Sequence, residues 1–326
     1  MQIAILDDYQ DAVRSLDCFR TLAAAGHRTT VWNDSPGDPQ ALAGRIADCD
    51  ALVLIRERTA ITAALLDRLP GLRLISQTGK ISNHIDVAAC TAHRVVVAEG
   101  VGSPVAPAEL CWALVLAASR QVPQYTADLK RGRWQQAGTL GLGRVLKGRT
   151  LGIWGYGKIG RIVAGYGKAF GMHVLVWGRA PSLAAAAADG CAVAADKVDF
   201  FARSDVLTLH LRLNEATRGC VTRADLAAMK ADALFVNTSR AELVAPGALE
   251  AALRAGRPGF AALDVFEQEP PGPDDPLLHR DNVVCTPHLG YVEQASYELY
   301  FGKAFENVIA FASGSPQNIA NPEALA

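Results

Sequence analysis

The chain has 326 residues, half of them hydrophobic and a fifth charged, with 32 Lys and Arg against 33 Asp and Glu. A formal net charge of −1 removes any global argument for nucleic acid or an anionic membrane as partner, and the length accommodates two domains. Seven cysteines without a CxxC pair point to free thiols in a reducing cytoplasm, not to a disulfide framework or a metal site.

The start, Met1–Asp7, has no basic stretch and runs directly into a first strand, so no signal peptide is expected. The longest apolar run, around Leu110–Ala118, is too short to span a bilayer, and a cytoplasmic location is the expectation. Apolar, β-rich runs at 3–8, 51–57, 72–76 and 95–100 are separated by helical patterns. A long helical pattern, Ala106–Leu129, and a polar stretch around Trp134 follow. A second series of strands then runs 151–157, 173–178, 205–211, 233–239, 261–266 and 282–288. Nearly continuous apolar strands alternating with helices predict parallel sheets covered on both faces, hence two α/β domains joined by a helical link. The Ala-rich segment 182–190 is predicted to be a helix stopped by Gly190, and 295–314 has helical periodicity.

Three features in the second series carry chemistry. In LGIWGYGKIGR, Gly155, Gly157 and Gly160 sit between a strand and a helix, the context that gives GxGxxG its meaning. The first glycine permits the tight turn, the second lets a pyrophosphate approach the backbone, and the third lets helix and strand pack closely. The helix N-terminus then offers free N–H groups to the phosphates. Next, the strand HVLVWG ends in Gly178 and Arg179 where an Asp or Glu would hold an adenosine ribose. A carboxylate at 178 would repel a 2′-phosphate; Gly178 removes it and Arg179 supplies a guanidinium. NADP(H) is therefore favoured, with NAD(H) left open.

Finally, three successive strands end in Arg240, Glu269 and His288, on the carboxyl edge where open parallel sheets bind ligands. A His beside a carboxylate can give a proton to a carbonyl oxygen as it becomes an alkoxide. A guanidinium can bind a carboxylate bidentately and polarise the neighbouring carbonyl. Beside a dinucleotide, these point to a 2-keto or 2-hydroxy acid. No Ser-His-Asp order, Walker motif or metal-ligand cluster competes, and no metal is expected. Cys285 lies close by and reads as packing.

With these residues in view the chain resembles the D-isomer-specific 2-hydroxyacid dehydrogenase family over essentially its whole length, including its phosphoglycerate dehydrogenase and glyoxylate/hydroxypyruvate reductase branches. The matching pieces are GIWGYGKIG, SDVLTLHLRLNEATRG, FVNTSRAELV, ALDVFEQEP and TPHLG, in the family's order. The resemblance implies that Arg240 binds and polarises substrate, that His288 is the acid/base and that Glu269 is its partner, with Glu267 solvated. It implies cofactor contacts from Gly155, Tyr156, Gly157, Lys158, Ile159, Gly160, Gly178, Arg179 and His210. Asp264 would touch the nicotinamide carboxamide, and Thr238 and Ser239 would approach mainly through backbone.

The family's fold is α/β with two Rossmann-like domains: a doubly wound parallel-sheet cofactor domain, here 104–289, and a discontinuous flavodoxin-like substrate domain, here 1–103 plus 290–326. A homodimer through the cofactor domain is the default. Substrate contacts would come from Gly79, Lys80 and Ile81 together with Arg240 and His288, and Tyr9, Arg56 and Tyr291 are candidates for selectivity. The loop QTGKISNHID departs from the family's pattern, with Ile81 at the second glycine position, His84 at the Asn position and the added cation Lys80. Lys80 resembles the lysine of the phosphite dehydrogenase branch. Arg212 is a second departure, standing at the proline position where LHLRL replaces the family's usual Leu-His-x-Pro. Two other readings stay open on this fold: oxidation of another small anion, phosphite or formate, and a dinucleotide-sensing corepressor.

Overall fold

A computed structural model describes residues 1–136 and 138–326; Ala137, in the polar stretch around Trp134, lies outside the described residues. The chain divides into two compact units, Met1–Ser103 with Glu293–Ala326, and Pro104–Val292.

In the first unit, β1 (Gln2–Ile5), β2 (Arg28–Val31), β3 (Ala51–Leu54), β4 (Leu74–Gln77) and β5 (Val96–Ala98) form a sheet in the order β2-β1-β3-β4-β5. Every pairing is parallel, and the order is that of flavodoxin-like sheets. The central strands β3 and β4 are buried along their whole length; β3 is apolar throughout, as strands covered on both faces usually are, whereas β4 (LISQ) ends in buried Ser76 and Gln77. At the edge, β2 has the sequence RTTV and buries only Val31, so no apolar run announces it.

The helix Gln294–Ala312 packs against β4, and the Ser76 hydroxyl donates to the Ala304 carbonyl at 2.8 Å. Beyond it the chain runs antiparallel to β5. The N–H of Glu99 donates to the Asn318 carbonyl and that of Ala320 to the Val97 carbonyl, both at 2.8 Å. Buried Asn321 accepts from the Val97 N–H at 2.7 Å and donates to Thr91 Oγ1 and the Val95 carbonyl. These bonds cover an edge that would otherwise present free backbone groups.

The second unit holds β6 (Thr150–Trp154), β7 (His173–Trp177), β8 (Ala192–Val193), β9 (Val206–Leu209), β10 (Leu234–Asn237), β11 (Phe260–Leu263) and β12 (Val283–Cys285). Their order is β12-β11-β10-β9-β6-β7-β8, again all parallel. The winding reverses between β6 and β9, the switch point at whose carboxyl ends doubly wound sheets take their ligands. Only the two-residue β8 had no counterpart in the sequence pattern.

The predicted strands are longer than the real ones: the run at 151–157 stops pairing at Trp154 and that at 282–288 at Cys285. The surplus residues form the loops at the carboxyl edge. The pattern Ala106–Leu129 is two helices, Val105–Ser119 and Val122–Lys130, broken where Gln121 takes φ +54°. Pro123 explains the break, because it has no N–H for an intrahelical bond and fits only the first turn of a new helix. The Ala-rich helix spans Ala180–Ala188, with Gly190 at φ +70° just beyond it. Among the described residues no helix is long and apolar enough to cross a membrane.

Candidate active site

The glycine turn joins β6 to the helix Lys158–Ala169. Gly155 has φ +102°, and a β-carbon there would lie 2.5 Å from the His210 carbonyl oxygen. A β-carbon at Gly160 would collide with the Gly155 carbonyl. Gly157, at the helix N-cap, faces open space and has no side chain with which to cap the helix. The first N–H groups of that helix, from Lys158 onward, are thus left for an anion. Two glycines close the turn and one keeps it open, which fits a dinucleotide pyrophosphate. Tyr156 turns inward: it is buried and its hydroxyl donates to Asp189 at 3.0 Å. His210 follows β9, with its N–H bonded to the Trp154 carbonyl at 2.8 Å and Nε2 3.1 Å from Thr208 Oγ1. Burial pushes its imidazole down to about 4, so the ring beside the turn is neutral at ordinary pH.

At the end of β7, Gly178 lies beside this turn, since a β-carbon there would sit 3.9 Å from the Gly155 nitrogen and 3.4 Å from Ser182 Cβ. Exposed Arg179 is the N-cap of the helix Ala180–Ala188. Ser182 in its first turn is a neighbour that motif reasoning passed over, because its relevance comes from the helical turn and not from any signature.

Along the same sheet, His288 Nδ1 lies 2.6 Å from Glu269 Oε2, and Glu269 Oε1 accepts the Phe266 N–H at 3.0 Å. Burial raises the Glu269 carboxyl, but the bond and charge of His288, the Phe266 N–H and the charge of Arg240 outweigh it and hold it below the usual carboxylate range. An ionised Glu269 can only accept, so Nδ1 carries the proton in this pair and Nε2 is left for exchange. The His288 ring meets Tyr291 edge-on, with centroids 5.7 Å apart. Arg240 follows β10; one guanidinium N–H donates to the Ser239 carbonyl at 2.6 Å, and Asn237 donates to the Arg240 carbonyl at 2.8 Å. Ser239 donates to the Leu211 carbonyl at 2.6 Å.

Asp264, at the end of β11, does something its place in the motif did not suggest. Its Oδ1 accepts the Thr286 hydroxyl and the Leu289 N–H, both at 2.7 Å, and Oδ2 accepts the Gly290 N–H at 2.9 Å. Those donors flank His288, which has φ +52°, a left-handed conformation uncommon for a residue with a side chain. The fully buried carboxylate thus fixes the loop that carries the imidazole. Desolvation raises its pKa despite these bonds.

Other candidates separate cleanly. Burial pushes the Cys285 thiol up to about 11, which makes it packing and not a nucleophile. Glu267 and Arg212 are exposed. In the first unit, Gly79–Ile81 follows β4, and a β-carbon at Gly79 would collide with the Arg56 guanidinium. Lys80 pairs with Glu99 at 2.7 Å, and Tyr9 lies under Arg58, 4.7 Å from guanidinium to ring centre. No cluster of three or more His, Cys, Asp or Glu suited to a metal occurs among the described residues.

Residues 112–290 match the family model for the D-isomer specific 2-hydroxyacid dehydrogenase NAD binding domain. The chain is 36% identical over 304 residues to a glyoxylate reductase of Aeropyrum pernix, covering 90% of both. It is 39% identical over 252 residues to a D-3-phosphoglycerate dehydrogenase of Methanocaldococcus jannaschii, covering 77% of this chain but only 47% of that one, so it spans about half the length of that relative. A crystal structure of a phosphoglycerate oxidoreductase from Vibrio cholerae o395 is 60% identical, with a TM-score of 0.94 over 96% of this chain and 99% of that one.

Replacing Asp264 by Ala leaves two backbone N–H groups and a hydroxyl without their acceptor. The expected cost is roughly 2–4 kcal/mol, read as a lowered melting temperature together with faster amide exchange at Leu289 and Gly290. Unchanged exchange at those two amides would refute the clamp.

Proposed function

This chain belongs to the D-isomer specific 2-hydroxyacid dehydrogenase family, and from that premise we propose that it moves a hydride between a nicotinamide dinucleotide and a small 2-keto or D-2-hydroxy acid. The observation that carries the proposal is the 2.6 Å His288–Glu269 pair on the edge that also bears Arg240 and the glycine turn. When bound, the nicotinamide supplies or accepts the hydride.

His288 Nε2 gives its proton to the carbonyl oxygen during reduction and takes it back during oxidation. Glu269 accepts from Nδ1 and fixes the orientation of the ring. Arg240 binds the substrate carboxylate and polarises the adjacent carbonyl. Gly79, Lys80 and Ile81 are assigned to the substrate on the resemblance alone, and the unit Pro104–Val292 to the cofactor. The alternative small-anion reading rested on Lys80 as a loop cation, and that ammonium is paired with Glu99.

For the cofactor we propose a preference for NADP(H). Gly178 presents no carboxylate to a 2′-phosphate, while Arg179, Ser182 and the N-terminus of the helix Ala180–Ala188 supply a guanidinium, a hydroxyl and backbone N–H groups. We also propose a homodimer through this unit, on whose surface the apolar side chains Val122, Leu129, Trp134, Leu142 and Val145 are exposed and would gain from burial against a second copy.

His288→Ala is expected to lower kcat by at least about a hundredfold while fluorescence titration shows the cofactor still binding. Its companion Glu269→Gln removes the charged acceptor of Nδ1, and kcat for reduction should fall by roughly tenfold or more with cofactor binding retained. A His288→Ala variant with near-full turnover refutes the assignment. Gly178→Asp has room for its β-carbon, and it should invert the NADPH-to-NADH ratio of kcat/KM; a wild type that already prefers NADH defeats the phosphate reading. Replacing Trp134 and Val145 by Glu should halve the mass seen in sedimentation velocity, and a monomeric wild type would count against the dimer.

A further inference from the structure

In the first unit the carboxyl end of β4 continues as Thr78, Gly79, Lys80 and Ile81. Glu99, just past the end of β5, meets this loop with both carboxylate oxygens. Oε2 lies 2.7 Å from Lys80 Nζ, and Oε1 accepts the Ile81 N–H at 3.1 Å. One carboxylate therefore takes up a cation and a backbone donor of the segment assigned to substrate.

Glu99 is itself held from several directions. Its N–H donates to the Asn318 carbonyl at 2.8 Å, and its carbonyl accepts from Asn307 Nδ2 at 3.0 Å. The two asparagines bond each other at 2.8 Å, and Asn307 is buried in the helix Gln294–Ala312. The next residue, Gly100, donates its N–H to the Gly79 carbonyl at 2.8 Å. The carboxylate is thus placed by a rigid frame. Burial opposes its ionisation, yet the Lys80 pair and the Ile81 N–H hold it below the usual carboxylate range, so it is an anion at neutral pH.

Fold stability gives little reason for this pair. The Lys80 side chain is 63% exposed, and an ion pair in that setting contributes little. What the pair does is chemical: it satisfies, from within the chain, the loop ammonium and one of its N–H groups.

We propose that Glu99 is a specificity-determining residue, a built-in counter-anion that occupies Lys80 and the Ile81 N–H and so keeps a second substrate anion off the loop. The loop then selects 2-keto acids whose sole anionic group is their carboxylate, over those bearing a second carboxylate or a phosphate. This rests on the function proposed above. No bond is made or broken at Glu99, which acts by position and charge.

Glu99→Gln tests it, because the amide keeps an acceptor for the Ile81 N–H and removes only the charge. The ratio of kcat/KM for phosphohydroxypyruvate over pyruvate should rise by about twofold to fivefold, the size expected of one exposed ion pair. Independently of turnover, calorimetric titration with inorganic phosphate should show a similar gain in affinity over wild type. The double variant Lys80→Gln, Glu99→Gln should lose both gains, and phosphate sites common to all three proteins cancel in the comparison. Unchanged phosphate affinity in Glu99→Gln, or an equal gain in the double variant, overturns the proposal. Should no variant reduce any 2-keto acid, the assigned function falls while the phosphate titration still decides the role of Glu99.

Discussion

A buried carboxylate bridges the end of one strand and the loop that follows the next. Asp264 accepts three donors from the segment around His288, and the rest of the site depends on that arrangement. An imidazole on a residue at φ +52° keeps its place only if the surrounding bonds over-determine the backbone. With the loop fixed, Glu269 meets Nδ1 at a single distance and Nε2 is presented on one side. The chemistry of the pair is thus inherited from a bond network that touches neither ring nitrogen.

Charge in this protein is arranged locally, as the near-neutral total suggests. Glu269 bonds His288 and the Phe266 N–H, feels the charge of Arg240, and stays ionised against its burial. Asp264, with mostly neutral donors around it, is pushed the other way. Two carboxylates near one imidazole therefore have separate duties, one electrostatic and one architectural. Environment decides which is which.

Much of the fold was legible because strands buried in a parallel sheet are mostly apolar, as in β3, and a helix rich in alanine must stop where Gly190 permits. The glycine turn and the Arg240, Glu269 and His288 positions were legible for a related reason: each ends a strand, and all strands of one sheet deliver their ends to one edge. β2 escaped because an edge strand need not be apolar, and the break at Gln121 because Pro123 sits inside otherwise helical periodicity. The Asp264 clamp could not be read at all, since two of its three donors are backbone groups that no residue type reports. Glu99 was equally silent. Its partners lie 18 and 19 residues away in sequence, and only the pairing of β4 with β5 makes them neighbours.

The antiparallel run of residues 318–321 along β5 has a practical side. Asn318 accepts the N–H of Glu99 and, through Asn307, steadies its carbonyl, so these late residues reach the Lys80 loop in two steps. On the role proposed for Glu99, displacing this stretch from β5 would loosen the frame that places its carboxylate and shift substrate preference. Preparations that differ in whether this stretch lies on β5 would then differ in selectivity, a cause that sits far in sequence from the loop it acts on.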